Sequence, residues 1–240
     1  MSKVVPLSNL ILDILFPRKP YCTICGGKLT YASEILCQSC RNKIKPLCEP
    51  LCSKCGKPMQ SPKRAKLCQD CKEDFHSFVQ ARSYGYYEGI LKELIYHFKY
   101  HGKRELAEVL GSLMYGLLNQ LSWPRFDYIV PLPLHPKRLR ERGYNQAYLL
   151  AEVVANLSGI PIYSGLIRVK PTEHQTLLDK ALRKQNLIGA FKVVDSDKVS
   201  DKTLLLIDDV YTTGATTGEC AKCLIEAGAH AVYVLTCARG

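Results

Sequence analysis

Leu204-Leu-Leu-Ile-Asp-Asp-Val-Tyr-Thr-Thr-Gly-Ala-Thr-Thr217 decides the reading of this 240-residue chain. Four consecutive apolar residues, 204–207, make a strand buried on both faces. Asp208 and Asp209 stand together at its carboxyl end, where ligands bind in open α/β sheets. A loop of small hydroxyl residues follows and leads into a helix, whose N-terminal amides attract a phosphate. Thr212, Thr213 and Thr216 add hydroxyl donors, and Gly214 permits close backbone approach. Two adjacent carboxylates beside a phosphate repel it unless they meet hydroxyls or a cation. A sugar diol next to the phosphate, with a magnesium ion nearby, meets that need. The plainer alternative is an ordinary strand–turn–helix with surface aspartates.

Outward from this segment, strands and helices alternate. Residues 81–87, 128–132, 165–169 and 230–236 read as strands. Residues 90–100, 106–118, 145–157 and 216–227 have helical spacing. This alternation indicates an α/β fold with a mainly parallel sheet flanked by helices. Two polar connections interrupt it. Asp127-Tyr-Ile-Val-Pro-Leu-Pro-Leu-His-Pro-Lys-Arg138 runs from a strand into a stiff proline-rich loop, and Arg140 and Arg142 follow before Gly143-Tyr-Asn-Gln146 opens a helix. Residues 168–186 are long and charged. Cations in such places stabilise a departing anionic group; a solvated basic turn or a charged connection reads the same way.

The first 75 residues are of another kind, with nine of the twelve cysteines. Cys22-x2-Cys25 precedes Cys37-x2-Cys40, and Cys52-x2-Cys55 precedes Cys68-x2-Cys71. A CxxC turn sets two thiolates on one side of a tight knuckle, and two knuckles complete a tetrahedral four-sulfur shell for zinc. Such closed sites are structural, so about two zinc ions are expected. Sequential pairing makes a double zinc ribbon; interleaved pairing, first knuckles with last, is also open. Disulfides are the competing reading and need an oxidising compartment. Cys48 is left over, as a spare ligand or a buried thiol. Cys220 and Cys223 fall within a predicted helix and, with Cys237, read as small core residues. The composition shift divides the chain into residues 1–77, an N-terminal helix with the ribbon module, and residues 78–240, the α/β domain.

The formal net charge is +11, and residues 1–80 hold 13 Lys+Arg against 6 Asp+Glu. Such a balance points to anionic partners. A composition 47% hydrophobic and 23% charged excludes disorder, collagen and a coiled-coil rod. No apolar run is long enough to span a membrane. Leu7, Leu10, Ile11, Ile14 and Leu15 make one stripe of a short amphipathic helix ended by Pro17, packing on its own protein or on a membrane surface or partner. The chain reads as cytoplasmic, where paired cysteines serve metal.

The segment around Asp208 resembles the phosphoribosyl pyrophosphate (PRPP) loop of type I phosphoribosyltransferases. That resemblance implies ribose binding by Asp208 and Asp209, and 5-phosphate binding by Thr212, Thr213, Gly214, Ala215 and Thr216. It makes Leu134, His135, Lys137, Arg138 and Arg142 the pyrophosphate loop. It places a mobile hood over residues 168–186, with Arg168, Lys170, Gln175 and Arg183 as its contacts; His174 reads as solvated. With the N-terminal helix, the knuckles and the Pro-Leu-Pro…Arg-Gly-Tyr-Asn-Gln run, the whole chain resembles the ComF/ComFC family. Its members are bacterial cytosolic proteins required for DNA uptake in natural transformation. The chain starts Met1-Ser2 and lacks the N-terminal nucleophilic cysteine of glutamine amidophosphoribosyltransferases, so no glutaminase half is expected.

Three functions follow. The leading one is a PRPP-binding protein of competence, with magnesium-dependent phosphoribosyl transfer to an unidentified acceptor. The second is a nucleobase-salvage phosphoribosyltransferase. The third is a non-catalytic adaptor whose ribbons bind single-stranded DNA, a competence helicase or another DNA-uptake protein, with PRPP as regulator.

Overall fold

The computed structural model describes residues 21–31, 34–60, 66–170 and 187–240. The stripe expected over residues 4–16 lies outside them. The chain forms two compact units, Met1–Ile44 and Lys45–Gly240.

In the first unit, the Gly26 amide closes the Cys22 knuckle by donating to the Cys22 carbonyl (2.9 Å). A short helix, α1 (Gln38–Asn42), carries Cys40, and the Cys37 sulfur caps it by accepting from the Cys40 amide (3.4 Å). Leu29, Leu36 and Ile44 are buried around these turns.

The second unit begins with the second pair of knuckles and helix α2 (Gln69–Glu73), then continues without a break in packing into the α/β layers. Strand β1 (Gln80–Tyr86) is followed by helices α3 (Gly89–Tyr100) and α4 (Leu106–Leu118) and by β2 (Tyr128–Pro131). Helices α5 (Pro136–Arg142) and α6 (Gln146–Ser158) come next, then the small antiparallel pair β3 (Leu166–Arg168) and β4 (Phe191–Val193). Strand β5 (Thr203–Tyr211), helix α7 (Ala215–Glu226) and strand β6 (Ala231–Arg239) complete the order.

Among the described residues the main sheet has four strands in the order β1-β6-β5-β2, every neighbouring pair parallel. The α/β class expected from the sequence, a mainly parallel sheet flanked by helices with a ribbon module ahead of it, is the class observed. Leu204, Leu205, Leu206 and Ile207 of β5 have no exposed surface, as a strand covered on both faces requires. Helix α3 buries Leu91, Leu94, Ile95 and Phe98, a single stripe at i, i+3, i+4 and i+7. Each such side chain contributes about 1.5–3 kcal/mol on burial. Helix α4 lies close against α6: a Cβ at Gly111 would sit 2.6 Å from Val153 Cβ, so only glycine fits there.

Two elements differ from the sequence reading. Strand β5 runs four residues beyond its apolar stretch, because its ladder with β6 continues through Asp208↔Thr236 to Tyr211↔Arg239. The basic run 136–142 is a helix and not a loop. Pro136 sits at its start, the His135 side chain accepts from the Lys137 amide, and Gly143 ends it at φ 75°.

Candidate functional site

The carboxyl end of β5 holds an acidic pair with a built-in counter-ion. Asp209 is buried, and Lys99 Nζ from the last turn of α3 lies 2.7 Å from its Oδ1. Asp208 is less covered and accepts the Asp209 amide through Oδ1 (2.8 Å). Loss of water and the neighbouring Asp209 charge push the Asp208 carboxyl up to about 7, against the pull of Lys99, the Asp209 amide and Arg142. Burial works against the Lys99 ammonium, but the charges of Asp209 and Asp208 outweigh it and hold its pKa above the ordinary lysine value. Near neutral pH the site therefore holds one ion pair and one carboxyl poised between its two forms.

Sequence reading does not single out Lys99. Its signal is there in hindsight: Leu91, Ile95 and Lys99 are spaced by four, one row along the face of α3 that turns inward. A lysine ending such a row needs a buried partner, and the partner is 110 positions away.

The loop after β5 turns on Gly214, which caps α7 at φ 79°. A Cβ there would collide with the Tyr211 hydroxyl and lie 3.1 Å from His76 Cε1. Thr213 Oγ1 accepts from the Ala215 amide (3.3 Å), and the buried Thr217 hydroxyl donates to the Gly214 carbonyl (3.1 Å). Thr212 is exposed, and Thr213, Ala215 and Thr216 are half-buried. The opening turn of α7 thus presents amides without helical acceptors, on a loop held from below by two threonine hydroxyls.

The Arg-Gly-Tyr-Asn-Gln run packs against the end of α3 beside Lys99. The Tyr144 hydroxyl donates to the Phe98 carbonyl, next to Lys99 in the chain. Asn145 donates to the Leu132 carbonyl and accepts from the Ala147 amide, both at 3.0 Å. Arg142 Nη1 donates to the buried Gln146 Oε1 (3.1 Å), and its guanidinium lies over Tyr100. So Tyr144 and Asn145 place the end of α3 and the start of α6, while the Arg142 charge pulls the Asp208 carboxyl down. Arg138 and Arg142 are half-buried; Lys137 is exposed. Leu134 lines a separate hollow of about 160 Å³ with Pro131, Pro133, Tyr148 and Leu166.

Arg168 ends β3, is buried and stacks over Phe191 (5.5 Å). Burial and the nearby Arg138 lower its pKa, while the Asp208 charge opposes them. Arg168, Arg138, Arg142, Asp208, Asp209 and Lys99 therefore share one region. Lys170 is exposed and donates to the Ile188 carbonyl (3.1 Å), across the ends of the expected hood. Gln175, Arg183 and His174 lie outside the described residues.

The cysteines gather sequentially, Cys22, Cys25, Cys37 and Cys40 in one cluster and Cys52, Cys55, Cys68 and Cys71 in the other. Within each cluster all sulfurs lie within 4.8 Å of one another. The Cys25–Cys37 and Cys55–Cys68 sulfurs are 3.7 and 3.6 Å apart. The edge of a zinc–thiolate tetrahedron is about 3.8 Å for bonds of about 2.3 Å, whereas a disulfide would need about 2.05 Å. All twelve cysteines are free. Both donor sets fit structural zinc. Cys48 stays outside them and is exposed, while Cys220 and Cys237 are buried in the α/β core. Among the described residues, no helix is long and apolar enough to cross a membrane.

Known proteins are similar to this chain at two levels. Among solved structures, glutamine PRPP amidotransferase from B. subtilis, complexed with ADP and GMP, aligns at 23% identity and a TM-score of 0.38, over 55% of this chain and 26% of its own. Purine phosphoribosyltransferase from Pyrococcus horikoshii aligns at 13% identity and a TM-score of 0.34, over 57% of this chain and 82% of its own. Residues 11–76 match the double zinc ribbon domain. Competence protein F of Haemophilus influenzae is 33% identical over 91% of this chain and 96% of its own. Competence protein ComFC of Bacillus subtilis is 32% identical over 81% and 80% respectively. The DNA utilization protein YhgH of Salmonella typhi is 30% identical over 89% and 94%. With relatives this similar along nearly their whole length, and with both four-sulfur clusters assembled, the chain belongs to the ComF/ComFC family of competence proteins.

Proposed function

We propose that this chain is a cytoplasmic PRPP-binding protein that acts in DNA uptake during competence and transfers the phosphoribosyl group to an acceptor. The observation that carries the reading is the juxtaposition at the end of β5: Asp208 and Asp209 with Lys99 2.7 Å from Asp209, beside a threonine loop that opens α7. Carboxylates accept the two ribose hydroxyls, and the Thr212–Thr216 turn holds the 5-phosphate through amides and hydroxyls. Arg138, Arg142 and Arg168 face the pyrophosphate. In transfer, the bond from C1 to pyrophosphate breaks as the acceptor's lone pair bonds to C1, and the acceptor's proton passes to solvent. Pyrophosphate leaves with the electron pair of the broken bond, and the arginines stabilise that charge. Magnesium would add positive charge at the pyrophosphate; the Asp208 carboxylate, not paired with Lys99, would offer it an oxygen alongside the ribose hydroxyls.

Titration calorimetry with PRPP and magnesium tests the binding. Asp209→Asn keeps the side chain's size and its place in β5 but leaves Lys99 without its charged partner, so circular dichroism checks that the variant is folded. It loses a charge-assisted hydrogen bond worth roughly 1.5–3 kcal/mol, or about 10- to 100-fold in affinity. Asp208→Ala with Asp209→Ala abolishes binding. Unchanged affinity in the folded double variant overturns the reading. Pyrophosphate released in a screen of acceptors, nucleobases included, separates transfer from binding alone and brings in the salvage alternative.

A non-catalytic adaptor is favoured by a different observation. Tyr96 and Tyr100 are 50% and 59% exposed on α3, their rings 5.2 Å apart, with His97 and His101 beside them and Arg142 over Tyr100. Nucleic-acid bases stack on surfaces of this kind. Retention of single-stranded DNA by the double aspartate variant would support that role independently of PRPP.

A further inference from the structure

Arg239, in the last position of β6, belongs to neither the acidic pair nor the metal ligands, yet it touches the framework of both sites. It is 9% exposed. Its Nη1 donates to the Cys55 carbonyl (2.6 Å), and its Nη2 lies 3.4 Å from the Cys55 sulfur. The same guanidinium covers the Tyr211 ring at 4.6 Å. Tyr211 is its register partner on β5, and the Gly240 amide donates to the Tyr211 carbonyl (3.0 Å). The next residue, Thr212, opens the loop that leads to Gly214.

The neighbouring side chains tighten this link. Phe78 packs edge-on against Tyr211 (6.3 Å), and His76 stacks on Phe78 (4.9 Å). His76 then fills the space beside the loop, where a Cβ at Gly218 would lie 2.9 Å from its Nδ1. A cavity of about 120 Å³ between cluster and loop is lined by Cys55, Cys71, His76, Tyr211, Thr212 and Arg239. Backbone bonds also tie the knuckle to the sheet: the Ala81 amide donates to the Lys54 carbonyl (2.7 Å).

The electrostatics give the link a direction. Zinc held by four thiolates is a dianionic unit, and a buried guanidinium beside one of its sulfurs offsets one of those two negative charges. When the metal leaves, the four-sulfur shell no longer fixes Cys55, and Arg239 loses the anchor that places it over Tyr211. We propose that Arg239 is a positioning residue that couples zinc occupancy of the Cys52–Cys55–Cys68–Cys71 cluster to the order of the loop 212–218. Coupling of this kind is reciprocal: a ligand that orders the loop also retains the zinc.

The test uses the full zinc-loaded chain in a Cys37→Ser background, which leaves only the second cluster to be read. Arg239→Met should weaken zinc binding roughly 10- to 100-fold, the usual effect of losing an outer partner of a metal ligand. It should also speed amide hydrogen exchange over residues 212–218. Arg239→Lys, which keeps the charge, should restore part of both. Withdrawing zinc from the parent with a chelator should raise the same exchange without any substitution, so the test survives if Arg239→Met does not fold. With cobalt in place of zinc, the thiolate charge-transfer band should shift in Arg239→Met. Exchange over 212–218 that is unchanged by zinc withdrawal overturns the coupling. A final arm rests on the PRPP reading: PRPP with magnesium should slow zinc release in the parent and not in Arg239→Met. No heat of PRPP binding together with zinc-dependent exchange would overturn the PRPP reading and leave the coupling standing.

Discussion

Asp208 carries the pH response of the site. Its carboxyl titrates near 7 in the folded chain and at the ordinary carboxylate value of 3.8 when unfolded. Between those values the folded state holds the extra proton, so this group's contribution to stability falls as pH rises from 3.8 to about 7, then levels off. Asp208→Asn should therefore be more stable than the parent at pH 8 and equal to it near pH 4. The expected gain is about 2 kcal/mol, the full shift discounted for partial exposure; thermal unfolding at the two pH values, in magnesium-free buffer, reads it. The carboxylate is also the form that accepts ribose hydroxyls, so PRPP affinity should rise as pH rises through about 7. At this scale the pair itself is legible in the sequence, because two adjacent aspartates after an apolar run have no core role. Lys99 is not, because nothing local distinguishes a buried ammonium from a solvated one.

Among the elements, the strand–loop–helix from β5 to α7 depends most on one backbone conformation. Gly214→Ala forces a side chain into the left-handed region, costing about 1–2 kcal/mol, and drives its Cβ into the Tyr211 hydroxyl. Urea unfolding should show at least that loss, and PRPP affinity should fall further than Thr212→Ala lowers it. A loop that tolerates alanine with unchanged affinity would mean that its shape is not what binds. The limits of element reading also show here. The apolar run ends at Ile207, but backbone pairing with β6 is indifferent to side-chain polarity and carries β5 on to Tyr211. Helix α5 escapes periodicity because it buries no residue; its caps, His135 and Gly143, were the available signal.

The whole molecule divides its two metal clusters between its two compact units, Met1–Ile44 and Lys45–Gly240. Cys37→Ser should lose one zinc and leave the α/β layers folded, whereas Cys68→Ser should lose the other and lower the melting temperature of the main transition. Metal analysis with calorimetry distinguishes them; equal melting in both variants would contradict the division. The net charge of +11 should also give non-specific retention of single-stranded DNA that weakens steeply with salt, as counter-ion release requires. Undetectable polarisation change at low salt would count against it. The sequence by itself determined the α/β class, the four CxxC knuckles and the acidic pair, because each is written in spacings of a few residues whose geometry the local backbone dictates. Only the tertiary structure decided that the knuckles pair sequentially, that Lys99 neutralises Asp209, and that Arg239, 184 positions from Cys55, joins it to Tyr211. Those contacts depend on which surfaces the sheet and helices bury together, and no local periodicity records that.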